Sequence, residues 1–373
     1  MVVVLRTSIG IHTFSIFRRF DHKGIVAVLK DVKQYSKATG RIMIYPTNKA
    51  KSCYKIDYTG RDAGIDYWQI RFCTNPTADF KEYIVEAKIN PKILAGEIDY
   101  VRAANERHVS TAILRFNEEA KKLSKHLGSF DQYRPNRVDY CVNFDLLELE
   151  FPCSPEQMME LIKRSNVPAH YAELKEYDPV GHRMKSLPGC FYLKSNSVVF
   201  NGYGKHFHLS NHYPDNPSLE DAQSVVRLEV QCKYMKLYAM LARAKRDGIP
   251  DYALTRHLLS DAVAREMIIN YFDRVIMCGD YYTLREATEK ITARRFGGGK
   301  GERMIDALNL ISQQRSIQGA KDVLRLEGGD LSRFNRALHE LVDDMRINPV
   351  TIPKSFGIRW IPSLLEAFLR FEW

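Results

Sequence analysis

Along RVDYCVNFDL apolar and polar residues alternate, so an extended strand places Val138, Tyr140, Val142, Phe144 and Leu146 on one face and Arg137, Asp139, Cys141, Asn143 and Asp145 on the other. In VVRLEVQCKY the same period sets Val226, Leu228, Val230 and Cys232 against Arg227, Glu229, Gln231 and Lys233, and in YIVEAKI it sets Val85, Ala87 and Ile89 against Glu86 and Lys88. Each pattern predicts a strand with one core face. Further strand-like runs lie near residues 2–8, 41–46, 53–58, 67–73 and 190–208. Helical spacing takes over from His108 to Leu127, where Ala112, Ile113, Phe116, Ala120 and Leu123 recur on one side. Ser154, Pro155 and Gln157 form a capping pattern that opens a helix through Ile162. Segment 167–189, with His170, Gly181, His182 and Lys185, is polar and reads as a loop.

After Tyr234 the pattern is almost wholly helical. A helix from Leu237 to Lys245 ends at Gly248 and Pro250, and a longer one runs to about Met277 with Ile268, Ile269, Phe272, Val275 and Ile276 as its buried stripe. Thr283 and Glu286 cap a helix carrying Arg285, Lys290, Arg294 and Arg295; the turn FGGGKGER separates it from helices at 304–312, 316–326 and 332–346. Short helices joined by basic turns could make a helix-turn-helix DNA reader, and a plain helical bundle is the alternative reading. Lys300 in GGGKG is not a phosphate-loop lysine, because Gly301 stands where Ser or Thr is needed and no strand leads in. The tail, with Pro349, Pro353, Trp360, Pro362 and Trp373, reads as an extended segment and a short aromatic helix docking on the body. The pattern thus predicts an α+β domain over 1–234, an antiparallel sheet flanked by helices, followed by an all-α accessory domain over 235–373.

The chemistry concentrates between the strands. Paired in one sheet, the strands would present Asp139 and Glu229 on a common surface, and clustered carboxylates suit a hard divalent cation. Arg-x-Asp and Arg-x-Glu are also the pattern of solvated cross-strand ion pairs, and that reading stands beside the first. The stretch VVFNGYGKHFHLSN places Tyr203 and Lys205 between them, followed by His206, Phe207 and His208. On a regular strand both histidines would point away from Tyr203; a turn after Lys205, made easy by Gly202 and Gly204, would bring them to a metal instead. A tyrosine hydroxyl titrates near ~10 and needs activation before it acts as a nucleophile at neutral pH.

Taken in order, YIVEAKINPKILAG, a helix, NRVDYCVNFDL, NGYGKHFHL and VVRLEVQCK resemble the rolling-circle replication initiators of filamentous phages. The Y-x-K and R-x-E elements are also similar to those of trans-acting plasmid Rep proteins. The resemblance covers roughly residues 83–234 and implies a nicking domain of the histidine-hydrophobe-histidine endonuclease type. It further implies that Tyr203 is the nucleophile, Lys205 its neighbouring cation, and Asp139 and Glu229 the acidic metal positions, with Glu86 matching a further acidic position. His206 and His208 are the alternative metal ligands, although their signature follows the tyrosine here by only three residues. The implied activity is metal-dependent nicking of one strand at a replication origin with Mg2+ or Mn2+, giving a 5′-phosphotyrosine and a 3′-hydroxyl primer. Single-stranded and duplex origin DNA are the implied partners, with a host helicase and polymerase beyond them. Arg137, Arg227, Arg294, Arg295 and Lys300 are the candidate DNA contacts. Two other readings share these residues: a non-catalytic origin-binding protein, and a relaxase that begins conjugative transfer.

Composition narrows the classes. A chain of 373 residues with 45% hydrophobic and 27% charged residues is an ordinary globular composition with room for two or three domains. Net charge +10 favours a polyanionic partner. The seven cysteines are scattered without a C-x-x-C pair, which argues against a zinc knuckle or a disulfide framework and suits a reducing cytoplasm. The apolar opening MVVVLRTSIGIHTF is interrupted by Arg6 and reads as a strand, not a signal peptide. No run approaches the ~18 apolar residues of a membrane span, so no membrane partner is expected.

Overall fold

The computed structural model describes residues 7–40, 42–46, 53–58, 63–73, 82–97, 99, 101–178, 183–186 and 189–370. It is mixed helix and sheet, an α+β chain, and it divides into two compact units. Part of the strand expected at 2–8, together with Gly181, His182 and Trp373, lies outside the described residues.

The first unit comprises Ile9–Cys141 and Gln231–Arg265. Its strands are β1 (Thr7–Phe20), β2 (Ile42–Pro46), β3 (Cys53–Tyr58), β4 (Ile65–Cys73), β5 (Glu82–Ile89) and β6 (Arg134–Asp145), in the order β2-β3-β4-β5-β1-β6. Pairing from β2 through β1 is antiparallel, with Phe17 opposite Glu86 and Gln69 opposite Glu86 on the other side. Helices α1 (His22–Thr39), α2 (Pro91–Leu94) and α3 (Glu106–Leu123) follow local signals. The Asp21 carboxylate caps α1 by accepting from the Gly24 amide, and Gly40 ends it in the left-handed conformation. Asn105 and His108 form the capping box of α3, whose Ala112, Ile113, Phe116, Ala120 and Leu123 are buried as their spacing predicts. Phe116 stacks on Trp68 at 5.2 Å and meets Phe130 and Tyr133 edge-on. This aromatic set is the centre of the core.

β1 and β6 are inner strands, buried on both faces. The expected solvated polar face of β6 is therefore absent: Asp139 is 0% exposed. A buried carboxylate is tolerated only when its oxygens have partners. Arg137 supplies a two-pronged contact at 2.6 and 2.7 Å, and the Thr13 hydroxyl donates to the same group.

The second unit contains Val142–Val230 and the chain from Glu266 onward. Here the end of β6 is followed in the sheet by β12 (Val225–Lys233), β11 (Val198–Gly204), β10 (Cys190–Lys194) and β7 (Ala172–Glu173). A separate hairpin pairs β8 (Lys175–Asp178) with β9 (Arg183–Ser186). The segment 167–189 is thus stranded in places rather than a plain loop. Its strands are short and polar, so no core face marks them in the sequence. Helix α4 (Pro155–Lys163) has the predicted Ser154–Gln157 capping box, and α5 (Lys205–His212) follows β11 directly.

Helices α6 (Tyr234–Arg246) and α7 (Leu254–Leu258) belong to the first unit, and α8 (Asp261–Val275) has residues in both. In the second unit come α9 (Leu284–Ala293), α10 (Lys300–Gln314), α11 (Ile317–Glu327), α12 (Leu331–Asp343) and α13 (Leu364–Arg370), with strand pair β13 (Tyr281–Tyr282) and β14 (Trp360–Ile361). Ala287, Ile291, Met304, Leu308, Leu341 and Ile347 form one buried cluster of this bundle. Thr283 caps α9 by accepting from the Glu286 amide, as expected. The tail docks through β14, with the Trp360 indole donating to Asp280 at 2.9 Å. Among the described residues no helix is long and apolar enough to cross a membrane.

Candidate active site

Tyr203 stands at the end of β11 and Glu229 on the neighbouring strand β12. A Cβ at Gly202 would lie 2.8 Å from Leu228 Cδ2, so a side chain there would displace the end of that leucine. Tyr203 Oη donates to Glu229 Oε1 at 2.6 Å, and Asn201 Nδ2 donates to Oε2 at 3.3 Å. Arg227 lies 3.8 Å from Glu229 Oε1 and donates through Nε to Asn143 Oδ1 at 2.5 Å. Lys205 places its ammonium 5.9 Å from the Tyr203 ring centroid. Tyr203 is 4% exposed, and Lys205, Glu229 and Arg227 are as deeply buried. One carboxylate, one guanidinium and one ammonium therefore surround a phenol in low dielectric, where their fields act strongly.

The strand-like run expected over 190–208 is β10, a turn at Ser195–Val198, and β11, after which the chain enters α5 at Lys205. The turn after Gly204 alters what the histidines do. On a helix, residues two apart diverge by about 200°. His206 is exposed, while His208 swings back so that its ring lies 4.7 Å from that of Tyr203. His212, one turn on, sits 4.6 Å from His208. Burial first, then the positive charges of Lys205 and His212, push His208 down to about 4, so it is neutral at pH 7. Asn201 and His212 were not anticipated. Asn201 shares the face of Tyr203 two residues earlier, so strand period could have found it; His212 follows His208 by four and comes beside it only because the chain is helical there.

The remaining candidates occupy different surroundings. Asp139 belongs to the first unit and Glu229 to the second. Glu86, also in the first unit, is buried and pairs with Arg71, while Asn136 donates to it at 2.9 Å. Arg137 is half-buried and Arg227 fully so, the latter spent on Asn143 and Glu229 rather than presented to a ligand. Arg294 donates to the Asp344 carbonyl oxygen and lies 5.6 Å from the Phe296 ring. Lys300 pairs with the Asp344 carboxylate at 2.9 Å and lies 5.2 Å from the same ring. Arg295 beside them is exposed. Arg294 and Lys300 thus both lie over Phe296, with Asp344 as a shared partner.

Among the described residues no three His, Cys, Asp or Glu side chains gather as a metal site does. The oxygens near Tyr203 nevertheless suit a hard cation. Asn201 Oδ1 is buried without a hydrogen-bond partner, close to Glu229, to which its own amide nitrogen donates. An orphaned buried oxygen beside a carboxylate is the donor chemistry of a magnesium or manganese site.

No family model and no curated protein matches this chain. Among solved structures it is similar to a rolling circle replication initiator protein from Geobacillus stearothermophilus, at 11% identity and a TM-score of 0.33 over 66% of this chain and 81% of that one. It is also similar to the di-domain ARO/CYC protein StfQ of the steffimycin biosynthetic pathway, at 8% identity and a TM-score of 0.17 over 68% of this chain and 98% of that one.

Proposed function

We propose that the chain initiates rolling-circle replication by nicking one strand at its origin, with Tyr203 as the nucleophile. The observation that carries this reading is the buried hydrogen bond from Tyr203 Oη to Glu229 Oε1 at 2.6 Å, inside a pocket that also holds Arg227 and Lys205. A tyrosine becomes a nucleophile when a base takes its proton and cations hold the resulting phenolate. Glu229 is placed to accept that proton. Lys205 and Arg227 supply the positive field. Tyr203 Oη then bonds to phosphorus, the bond from phosphorus to the 3′-oxygen breaks, and that oxygen takes a proton and becomes the primer end. One phosphodiester is exchanged for another, so rejoining needs no ATP.

A bound Mg2+ or Mn2+, held by Glu229 with Asn201 Oδ1, would polarise a phosphate oxygen. Asp139 and Glu86 are the carboxylates proposed for a cation within the first unit, and His206 and His208 the alternative ligands within the second. The helical region after Tyr234 is the proposed accessory, duplex-reading part, with Arg294, Arg295 and Lys300 toward phosphates. Origin DNA in the cytoplasm is the proposed partner, and a host helicase and polymerase would extend the primer.

A second reading is favoured by one fact: Tyr203 is 4% exposed and covered by the His208 ring. On that reading Tyr203 is structural and the chain binds its origin without cutting it. Relaxase activity shares the first step and differs only in the fate of the nicked strand. Incubation with supercoiled DNA carrying the region that flanks its own gene decides between nicking and binding. A nicked circle with protein that resists detergent supports the proposal, and duplex binding without an adduct supports the second reading.

A further inference from the structure

Helix α6 exposes two aromatic side chains and a methionine at its start. Tyr234 is exposed, Met235 is 66% exposed and Tyr238 is 61% exposed, all within its first five residues. A soluble helix ordinarily buries such residues or replaces them with polar ones. Here the buried side is narrow, occupied by Leu237 and Ala244. The open side has a regular order. Tyr234, Tyr238, Ala242 and Lys245 follow each other at helical spacing, with Met235, Ala239, Arg243 and Arg246 alongside. Small alanines between leave the rings and cations standing clear of the backbone.

The rings are held in place. Tyr234 packs edge-on against Phe17 at 5.9 Å and lies tilted by 32° to the Tyr238 ring at 6.3 Å. Arg19, two residues after Phe17 on the same face of β1, is exposed. Charge is one-sided: Lys233, Lys236, Arg243, Lys245 and Arg246 are basic, and no acidic residue occurs between them. The acidic neighbours come after the helix. Asp247 meets Arg243 at 3.8 Å and Asp251 meets Lys245 at 2.9 Å, both in exposed pairs that a phosphate can displace at little cost.

We propose that this face of α6 is a binding platform for single-stranded DNA, with Tyr238 and Tyr234 stacking on bases and Arg243, Lys245 and Arg246 facing the phosphates. Aromatic rings alternating with cations are what an unpaired strand requires, since every base offers a π-face and every linkage a charge. A duplex offers no base face to these rings. Charge complementarity selects this occupant over an apolar protein segment, which would leave the cations unpaired. The inference rests on the nicking proposal only in giving the platform its purpose, a hold on the displaced strand.

The test uses the full chain and fluorescence anisotropy with a labelled mixed-sequence 12-nucleotide single strand and a duplex of the same sequence. Tyr238→Ala should weaken single-strand binding roughly tenfold and leave duplex binding within about twofold, as removal of one base stack implies. Tyr238→Phe keeps the π-face and should bind as the wild type does. Lys245→Ala with Arg246→Ala should flatten the salt dependence by about 0.7 of a log-log unit for each phosphate no longer neutralised. Tyr238→Leu decides the nature of the surface: weakened affinity supports stacking, and retained affinity overturns it in favour of an apolar docking patch. Unchanged binding by a folded Tyr238→Ala variant also overturns it. An adduct assay on the wild-type chain serves as the separate control: a protein that binds the single strand through Tyr238 but forms no adduct with its origin DNA keeps this inference and loses the nicking proposal.

Discussion

Tyr203→Phe removes one oxygen and nothing else. That oxygen donates to Glu229 Oε1 at 2.6 Å inside a site where the tyrosine is 4% exposed. Hydrogen bonds to a charged group contribute about 1.5–3 kcal/mol, and a buried acceptor left without its donor loses most of that. Glu229 is not stranded, since Asn201 still donates at 3.3 Å and Arg227 stays at 3.8 Å. The ring keeps its packing on His208 at 4.7 Å, so no cavity opens. The expected cost is therefore about 2 kcal/mol of stability, read from the urea midpoint with the slope unchanged. The chemistry is expected to vanish altogether, because phenylalanine has no atom that can bond to phosphorus. The assay pairs urea unfolding with nicking of supercoiled plasmid and a detergent-resistant adduct. Nicking at the wild-type rate by the folded Phe variant refutes the assignment. Lower stability with intact nicking makes Tyr203 a structural residue only.

Glu229→Gln keeps an acceptor for the tyrosine but removes the charge that faces Arg227, so nicking should slow about 10²- to 10⁴-fold and stability should fall by about 3 kcal/mol, as time courses and melts would register. Chelation by EDTA should stop nicking and leave duplex binding in place, with Mg2+ or Mn2+ restoring it; nicking that persists in EDTA removes the cation from the proposal. His208 titrates near 4 when folded against ~6.5 unfolded, so the unfolded chain binds the extra proton. Stability is then complete above pH ~6.5 and declines as pH falls toward 4, by about 2 kcal/mol after allowing for the partly exposed ring. Urea melts at pH 7.5 and 5 read this, and His208→Phe should flatten the difference. Replacing Arg294, Arg295 and Lys300 by Ala should lower the salt slope of duplex binding by about 0.9 for every phosphate these cations neutralise, with single-strand cleavage unchanged; an unchanged slope assigns that cluster to packing.

Strands and helices with a strong period were legible in the sequence. Val85, Ala87 and Ile89 are buried on β5 as alternation predicts, the capping box at Ser154 opens α4, and at Thr283 the cap opens α9 with only one of the two bonds of the expected box, that from the Glu286 amide. The opening MVVVLRTSIGIHTF reads as a strand and so covers β1 only as far as Phe14; the rest of β1, and helix α1, were not anticipated. β1 is an inner strand with Thr13 and Ser15 buried beside Phe14 and Ile16, so both faces are core and the alternation is blurred. Most of the Tyr203 pocket was visible as a set of residue types, but its geometry was not. Where the strand yields to helix after Gly204 decides that His208 faces Tyr203 and His206 does not, and neither residue's own chemistry announces that boundary. The burial of Asp139 was equally hidden, because only the strand order makes β6 an inner strand.

Helix α5 has a kinetic consequence. It spans Lys205–His212, lacks a side-chain cap at its start and buries only Lys205 and Leu209. Two turns of helix do not persist alone; tertiary packing holds them. Tyr203 is 4% exposed and its ring lies against that of His208 on this helix, so the proposed attack on phosphorus requires the segment to lift first. The observed rate is then the intrinsic rate multiplied by the fraction of molecules with the segment raised. A mutation that loosens α5 without touching Tyr203 would speed the first turnover, and one that clamps it would slow nicking while every catalytic group stays in place.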